Sequence, residues 1–287
     1  MNIASNQFSP IAHDSKPAND KLKEYADYLT SLYKAKTQAC YQDKDHWPPP
    51  VTNKVFRLAM IKAEKVEKRK IDDDFVKSTI TGKVDDILRK KVPVELENIF
   101  SGVEEGQQIK VLIEGAPGCG KSTLSQHICH QWAKDKLFQE YGRVILVRLR
   151  EPIVQNAKHL SDMLPRRDDP MGEEMAKMLS ACDGQGSLFI FDGWDELPLN
   201  AAGRSIVSDI LNSSKLHKCS VIVTSRPIAS MSLLNLVNSR IEILGFTKDE
   251  LQQYFAGCLD NDNSKVVILQ KRIHENPVVA GSCYLPL

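Results

Sequence analysis

The stretch Glu114–Thr123, EGAPGCGKST, decides the fold. It follows the apolar run Val111-Leu112-Ile113 and precedes a helical pattern beginning at Leu124. From Gly115 to Ser122 it fits G-x-x-x-x-G-K-[ST], a loop that holds phosphate between a strand and a helix. The chemistry requires these residue types. Gly115, Gly118 and Gly120 let the backbone curl until successive N–H groups face phosphate oxygens. Ala116, Pro117, Cys119 and Thr123 complete the binding stretch. Lys121 places an ammonium between the terminal phosphates, and Ser122 offers a hydroxyl to Mg²⁺. The positive end of the following helix favours the anion. For Cys119 that same helix start would lower the thiol pKa.

A second stretch, Leu188–Pro198, reads LFIFDGWDELP. A buried strand ending in an acid is what Mg²⁺ needs near phosphates, and Asp192 is that acid. Gly193 lets the chain turn at once. Asp195 and Glu196 then return toward the same sheet edge, where either would orient or deprotonate the attacking water, with Glu196 slightly favoured. Trp194 is expected to pack beneath this acidic loop. Further on, Thr224-Ser225-Arg226-Pro227 ends another strand. Arg226 there would sense the terminal phosphate, or would pair with the acidic loop. Arg148 and Arg150, at the end of an earlier strand, would line the nucleotide edge or pair with nearby acids.

Composition excludes several classes. The chain has 287 residues, 38 basic and 37 acidic side chains and a net charge of +1, so nothing pulls it generally toward nucleic acid or anionic membrane. No apolar run approaches the roughly 18 residues of a membrane helix. The polar N-terminus lacks the apolar centre of a signal peptide. Seven scattered cysteines fit reduced thiols and a cytoplasmic setting.

Residues 1–19 read as a polar tail, and residues 20–36 as a helix whose Leu22, Tyr25, Leu29, Leu32 and Tyr33 share one face. That helix packs on the main domain or ends a partner-binding module. Residues 47–50, WPPP, break regular structure. Residues 55–61 are apolar and of ambiguous type. The basic run at 62–70 is interleaved with Glu64 and Glu67 and lacks stacking aromatics, which makes a solvated helix face a better reading than a nucleic-acid site. The aspartate runs 72–74 and 85–86 read as caps or turns. His127, Cys129 and His130 do not share one face and make no zinc site.

From Lys110 the pattern alternates strands with helices. Strands fall at residues 110–114, 144–149, 188–192, 220–224 and 241–244, and helices at 122–135, 173–182 and 206–211. This predicts an α/β three-layer sandwich around a central, mostly parallel five-stranded sheet, with ligands at the carboxyl ends of the strands. After Thr247 the pattern becomes helical, and the apolar end at Cys283–Leu287 reads as a helix cut short. The expected organisation is an N-terminal polar and helical extension (1–45), a linker segment (46–106), a nucleotide-binding core (107–246) and the start of a small helical domain (247–287).

GAPGCGKST, FIFDGWDELP and VTSRP, in that order and spacing, resemble the NACHT family, the signal-transduction P-loop NTPases of animal NOD-like immune receptors. The small residue after Asp192, followed by two acids, is the most diagnostic feature. LGFTKDELQQYF (244–255) resembles the start of the helical domain that follows the NACHT core. NPVVAGSCYLPL (276–287) resembles its later part, in which Pro286 would touch the nucleotide base. WPPP and the DDDF, VDDIL and IF segments resemble the extension before many animal NACHT domains.

The resemblance implies ATP/ADP binding with Mg²⁺, weak hydrolysis, and self-association or signalling-protein partners. In the family ADP holds a closed monomer, and ATP opens it for assembly into a wheel. A winged helix and a repeat sensor normally follow, and a death-fold effector often precedes; none is recognisable within these residues. The alternatives are a nucleotide-binding scaffold or receptor fragment without turnover, and a small-molecule kinase. Paired acids after Asp192 argue against the kinase, because they suit activation of water.

Overall fold

The computed structural model describes residues 16–42, 59–62, 93–101, 108–166, 169–198, 205–258 and 262–275. The polar tail before Lys16, the break at 47–50, the basic run beyond Lys62, both aspartate runs and Pro286 lie outside these residues. The element order is α1 (Lys16–Gln42), β1 (Ala59–Lys62), β2 (Lys110–Gly115), α2 (Lys121–Ala133), β3 (Arg143–Arg148), α3 (Pro152–Gln155), α4 (Pro170–Ala181), β4 (Ser187–Asp192), α5 (Ile206–Leu211), β5 (Ser220–Ser225), β6 (Ser239–Gly245), α6 (Lys248–Cys258) and α7 (Asn263–Glu275).

One sheet carries the fold, in the order β1-β6-β2-β5-β4-β3. The five strands β6, β2, β5, β4 and β3 run parallel, as their alternation with helices requires. All six residues of β2, β4 and β5 are buried, which explains their near-continuous apolar sequence: helices cover both faces. The sheet has a sixth strand beyond the five expected. β1 pairs antiparallel with β6, with an irregularity between Ala59 and Met60, and Val94 N–H donates to Met60 O at 2.8 Å on its outer side. A four-residue edge strand is too short to show a period of two, so the sequence left its type open.

Local signals set the helix starts. Asp169 caps α4 by accepting Met171 N–H at 2.9 Å, with Pro170 in the first turn. Ser205 caps α5 by accepting Ser208 N–H. On α2, Leu124, Ile128 and Trp132 face inward as their spacing predicts.

The long helix α1 packs on the main domain. Tyr25, Leu29 and Tyr33 are buried, and Leu22 and Leu32 lean on the same core. A buried leucine such as Leu29 contributes about 1.5–3 kcal/mol. Tyr33 does more than fill space. Its hydroxyl donates to Val144 O at 3.0 Å and accepts Leu146 N–H at 3.1 Å, both on the edge strand β3. The helix thereby supplies hydrogen bonds that a further strand would otherwise make.

The amino end of the sheet is closed by polar side chains. Lys110 Nζ donates to Leu211 O at 2.7 Å and to Ser213 Oγ at 2.6 Å, and Ser213 Oγ donates to Gln108 Oε1 at 2.7 Å. Burial pushes the Lys110 pKa down. Past β6, Phe246, Leu251, Phe255 and Val266 bury the inner faces of α6 and α7. Among the described residues no helix is long and apolar enough to cross a membrane.

Candidate functional site

The carboxyl ends of β2, β4 and β5 carry the residues that the sequence singles out. β2 runs straight into the loop 115–120, and α2 begins at Lys121. Gly118 (φ 76°) and Gly120 (φ 94°) both lie in the left-handed region, where a side chain would be strained. Gly115 is required for a different reason: a Cβ there would stand 2.3 Å from Cys119 Sγ and 3.2 Å from Ile243 O. Gly120 is also the N-cap of α2 and brings no side-chain acceptor. The first-turn N–H groups of this 13-residue helix therefore keep their capacity for an external acceptor.

Lys121 folds back over its own loop, with Nζ donating to Gly115 O at 2.8 Å and to Ala116 O at 2.9 Å. Cys119 departs from expectation. Its thiol is buried, and burial raises its pKa, with the Lys121 charge opposing but not reversing the shift. The proximity of a helix start does not lower it, because desolvation dominates.

Asp192 ends β4 and is 4% exposed. Its Oδ1 accepts the Thr224 hydroxyl at 2.9 Å and lies 3.3 Å from Ser125 Oγ. Neither contact involves Oδ2. Thr224 in turn accepts Gly193 N–H at 2.9 Å, while Gly193 takes φ 90° to start the turn. Ser125 sits one helical turn from Lys121, whose carbonyl is 3.1 Å from its hydroxyl. The acid of β4 and the helix of the phosphate loop are thus tied directly. Neither Thr224 nor Ser125 was singled out in the sequence. The available signal for Thr224 was a polar residue interrupting the apolar strand SVIVTS.

The two acids after Asp192 part company. Asp195 is bound by Arg226, whose Nε lies 2.8 Å from Oδ2 and whose backbone N–H donates to Oδ1 at 3.1 Å. Arg226 keeps 55% of its side-chain surface exposed and Asp195 11%. Glu196 is exposed, and no hydrogen bond or ion pair reaches its carboxylate among the described residues. Partial burial, and next the Asp195 charge, raise its pKa, while Arg150 and Arg226 pull the other way. Trp194 is buried under this turn. Arg148 Nε is buried without a partner among the described residues. Among the described residues no group of three or more His, Cys, Asp and Glu could hold a metal ion, and burial lowers the His127 pKa to about 4.

The donor set fits a nucleotide with a magnesium ion. Backbone N–H groups and Lys121 suit phosphate, and Ser122 with Asp192 Oδ2 suits a hard cation that prefers oxygen.

The NACHT domain profile matches residues 110–262. NACHT, LRR and PYD domains-containing protein 10 of Mus musculus is 27% identical over 213 residues, covering 70% of this chain and 30% of its own. NACHT, LRR and PYD domains-containing protein 3 of Homo sapiens is 23% identical over 299 residues, covering 95% of this chain and 27% of its own. The chain thus spans less than a third of the length of these relatives. Among solved structures, a Thermotoga maritima RuvB variant covers 73% of this chain and 59% of its own, with 14% identity and a TM-score of 0.36; so loose a match carries no further argument.

Proposed function

Since the chain belongs to the NACHT family of P-loop NTPases, we propose that it is an ATP/ADP-operated molecular switch with weak, magnesium-dependent hydrolysis. The observation that carries this reading is the 3.3 Å approach of Ser125 Oγ to Asp192 Oδ1. It ties the acidic strand end to the helix that begins at Lys121, which supports reading the two motifs as one site.

The residues divide the work. The backbone from Gly115 to Thr123 holds phosphates, and Lys121 exchanges its two carbonyl partners for phosphate oxygens. Ser122 and Asp192 would hold Mg²⁺, which supplies charge neutralisation at the phosphates when bound. Thr224 keeps Asp192 aimed by donating to one oxygen and leaving the other. Glu196 is the better base of the two acids, because Asp195 is engaged by Arg226. A raised pKa suits a group that must take a proton from water. Arg226 is exposed enough to leave Asp195 for a terminal phosphate, which makes it a sensor.

We assign residues 107–246 to the nucleotide-binding core and 247–287 to the start of a helical domain. The proposed setting is cytoplasmic signalling of the innate-immune type, with self-association or a signalling protein as partner.

The test compares phosphate release and ATP retention in the wild type and Glu196→Gln. Slow release by the wild type, lowered about 100-fold in the variant while ATP still binds, is the expected result. ATP retained unhydrolysed by the wild type would make the chain a binding scaffold. Phosphate delivered to an acceptor molecule would make it a kinase.

A further inference from the structure

Glu114, the residue that enters the phosphate loop, is only 1% exposed and lies outside the phosphate-binding motif. An acid there is costly unless it is held. It is held from two sides. Arg240 on β6, 8% exposed, pairs through Nε with Oε2. Ser230 donates its hydroxyl to Oε1. Arg240 faces Leu112 in the β2–β6 register, so it reaches Glu114 diagonally along one face of the sheet. Its Nη1 is buried and has no partner among the described residues, which makes the Nε contact with this carboxylate costly to lose.

Ser230 belongs to a 3₁₀ turn, Ala229–Leu233, separated from Arg226 by Pro227 and Ile228. Its backbone N–H donates to Arg226 O at 3.2 Å, and its Oγ lies 2.9 Å from Pro227 O. The single hydroxyl proton goes to the charged acceptor, which is the stronger one. The root of the phosphate loop and the turn after Arg226 are therefore joined by a buried, charge-assisted side-chain contact, beside the β2–β5 backbone pairing of Glu114 with Ser225.

We propose that Glu114, Ser230 and Arg240 form a strut coupling the position of the Arg226 turn to the phosphate loop, and that they set how strongly the chain distinguishes a nucleoside triphosphate from a diphosphate. This rests on the nucleotide reading above. The three are positioning residues: all lie outside the phosphate-binding stretch, and their paired atoms meet one another. A loop shifted by the third phosphate pulls on Glu114, and the pull reaches Arg226 through Ser230. Conversely, a turn that swings to release Asp195 loads the loop.

The test measures ATP and ADP affinity of the whole chain by titration calorimetry, with the thermal midpoint recorded for each variant. Ser230→Ala keeps the Glu114–Arg240 pair and the β2–β5 backbone pairing and removes only the side-chain link. The ATP:ADP affinity ratio should fall about fivefold or more, within the range of typical coupling energies. ADP affinity should change less than about twofold by the same reasoning. Ser230→Thr, which keeps the hydroxyl, should restore the ratio. Arg226→Ala should lower the ratio as well, and adding Ser230→Ala to it should lower it no further. A ratio unmoved by Ser230→Ala, or an effect that adds in full to that of Arg226→Ala, would overturn the strut while leaving nucleotide binding standing. If Ser230→Ala does not fold, the ratio of Ser230→Cys, whose weaker donor should give an intermediate value, decides instead, and a wild-type ratio there overturns the strut. A wild type that binds neither nucleotide would sink the nucleotide reading and the strut together.

Discussion

Two lysines, at opposite ends of the same strand–loop unit, hold backbone carbonyls, and they do so for opposite purposes. Lys110 at the start of β2 reaches Leu211 O and Ser213 Oγ, partners about a hundred residues away in the chain. Lys121, just past the loop that β2 feeds, reaches Gly115 O and Ala116 O, carbonyls of its own loop. The first set of contacts joins distant segments and is sealed by burial. The second closes a short ring, and an arriving phosphate can replace both carbonyls without unfolding anything. Charge alone does not make a ligand-binding lysine; replaceable partners do.

The contrast can be broken most directly at Lys121. Lys121→Ala should weaken ATP and ADP binding about 100-fold or more, as loss of a charged hydrogen bond in a partly desolvated site implies, with the thermal midpoint nearly unchanged. Calorimetric titration checks the first half and a melting curve the second. A large fall in midpoint would mean that Lys121 is structural and the contrast is wrong.

Lys110→Met should do the reverse. Two charge-assisted bonds are lost and a buried carbonyl is left bare, costing about 3 kcal/mol in denaturant unfolding. Nucleotide affinity should stay within about twofold, because sites that share no partners act nearly independently.

A third change sharpens the same distinction for a neutral group. Tyr33→Phe removes one hydroxyl that serves both Val144 O and Leu146 N–H on the sheet edge. Unfolding free energy should drop by about 1–2 kcal/mol. Self-association of the variant through the bared edge strand, followed by light scattering, should also rise. An unchanged stability would show that the Tyr33 hydroxyl does not help to hold α1.

The smallest effect concerns pH. Glu196 must be unprotonated to act as a base, and its pKa is raised by burial and by Asp195. Phosphate release should therefore fall off on the acid side at a higher pH than an ordinary glutamate would give. Asp195→Asn removes one of the raising charges and should move that acid limb to lower pH, by about a unit or less for a neighbouring charge near the surface. A limb that does not move would place the base elsewhere.

The loop residues, Asp192 and Arg226 were legible as candidates because their signals are local; of the two readings of Arg226, the structure shows the pairing with the acidic loop. Gly118 and Gly120 are forced by φ, and Asp192 by its place at the end of an apolar strand. The division of labour between Asp195 and Glu196 was not legible, since it depends on which of them Arg226 reaches across the sheet. Thr224 and Ser125 escaped notice because a hydroxyl in a strand or helix carries no spacing signal; only folding brings both within 3.3 Å of one carboxylate oxygen. The thiol of Cys119 was misjudged because sequence shows the helix start beside it but not its burial.

By itself the sequence determined a mostly parallel sheet, the succession of its strands and helices along the chain, and a candidate phosphate-binding loop with a candidate acidic strand end. These follow from periodicity and from backbone conformations that few residue types allow. Tertiary structure alone decided the sixth strand β1, the clasp of Tyr33 on β3, the pairing of Arg226 with Asp195 and the burial of Glu114 between Arg240 and Ser230. Each of these joins residues far apart in the chain. Their free energy comes from desolvation and charge at a meeting point, a quantity that exists only once the segments have met.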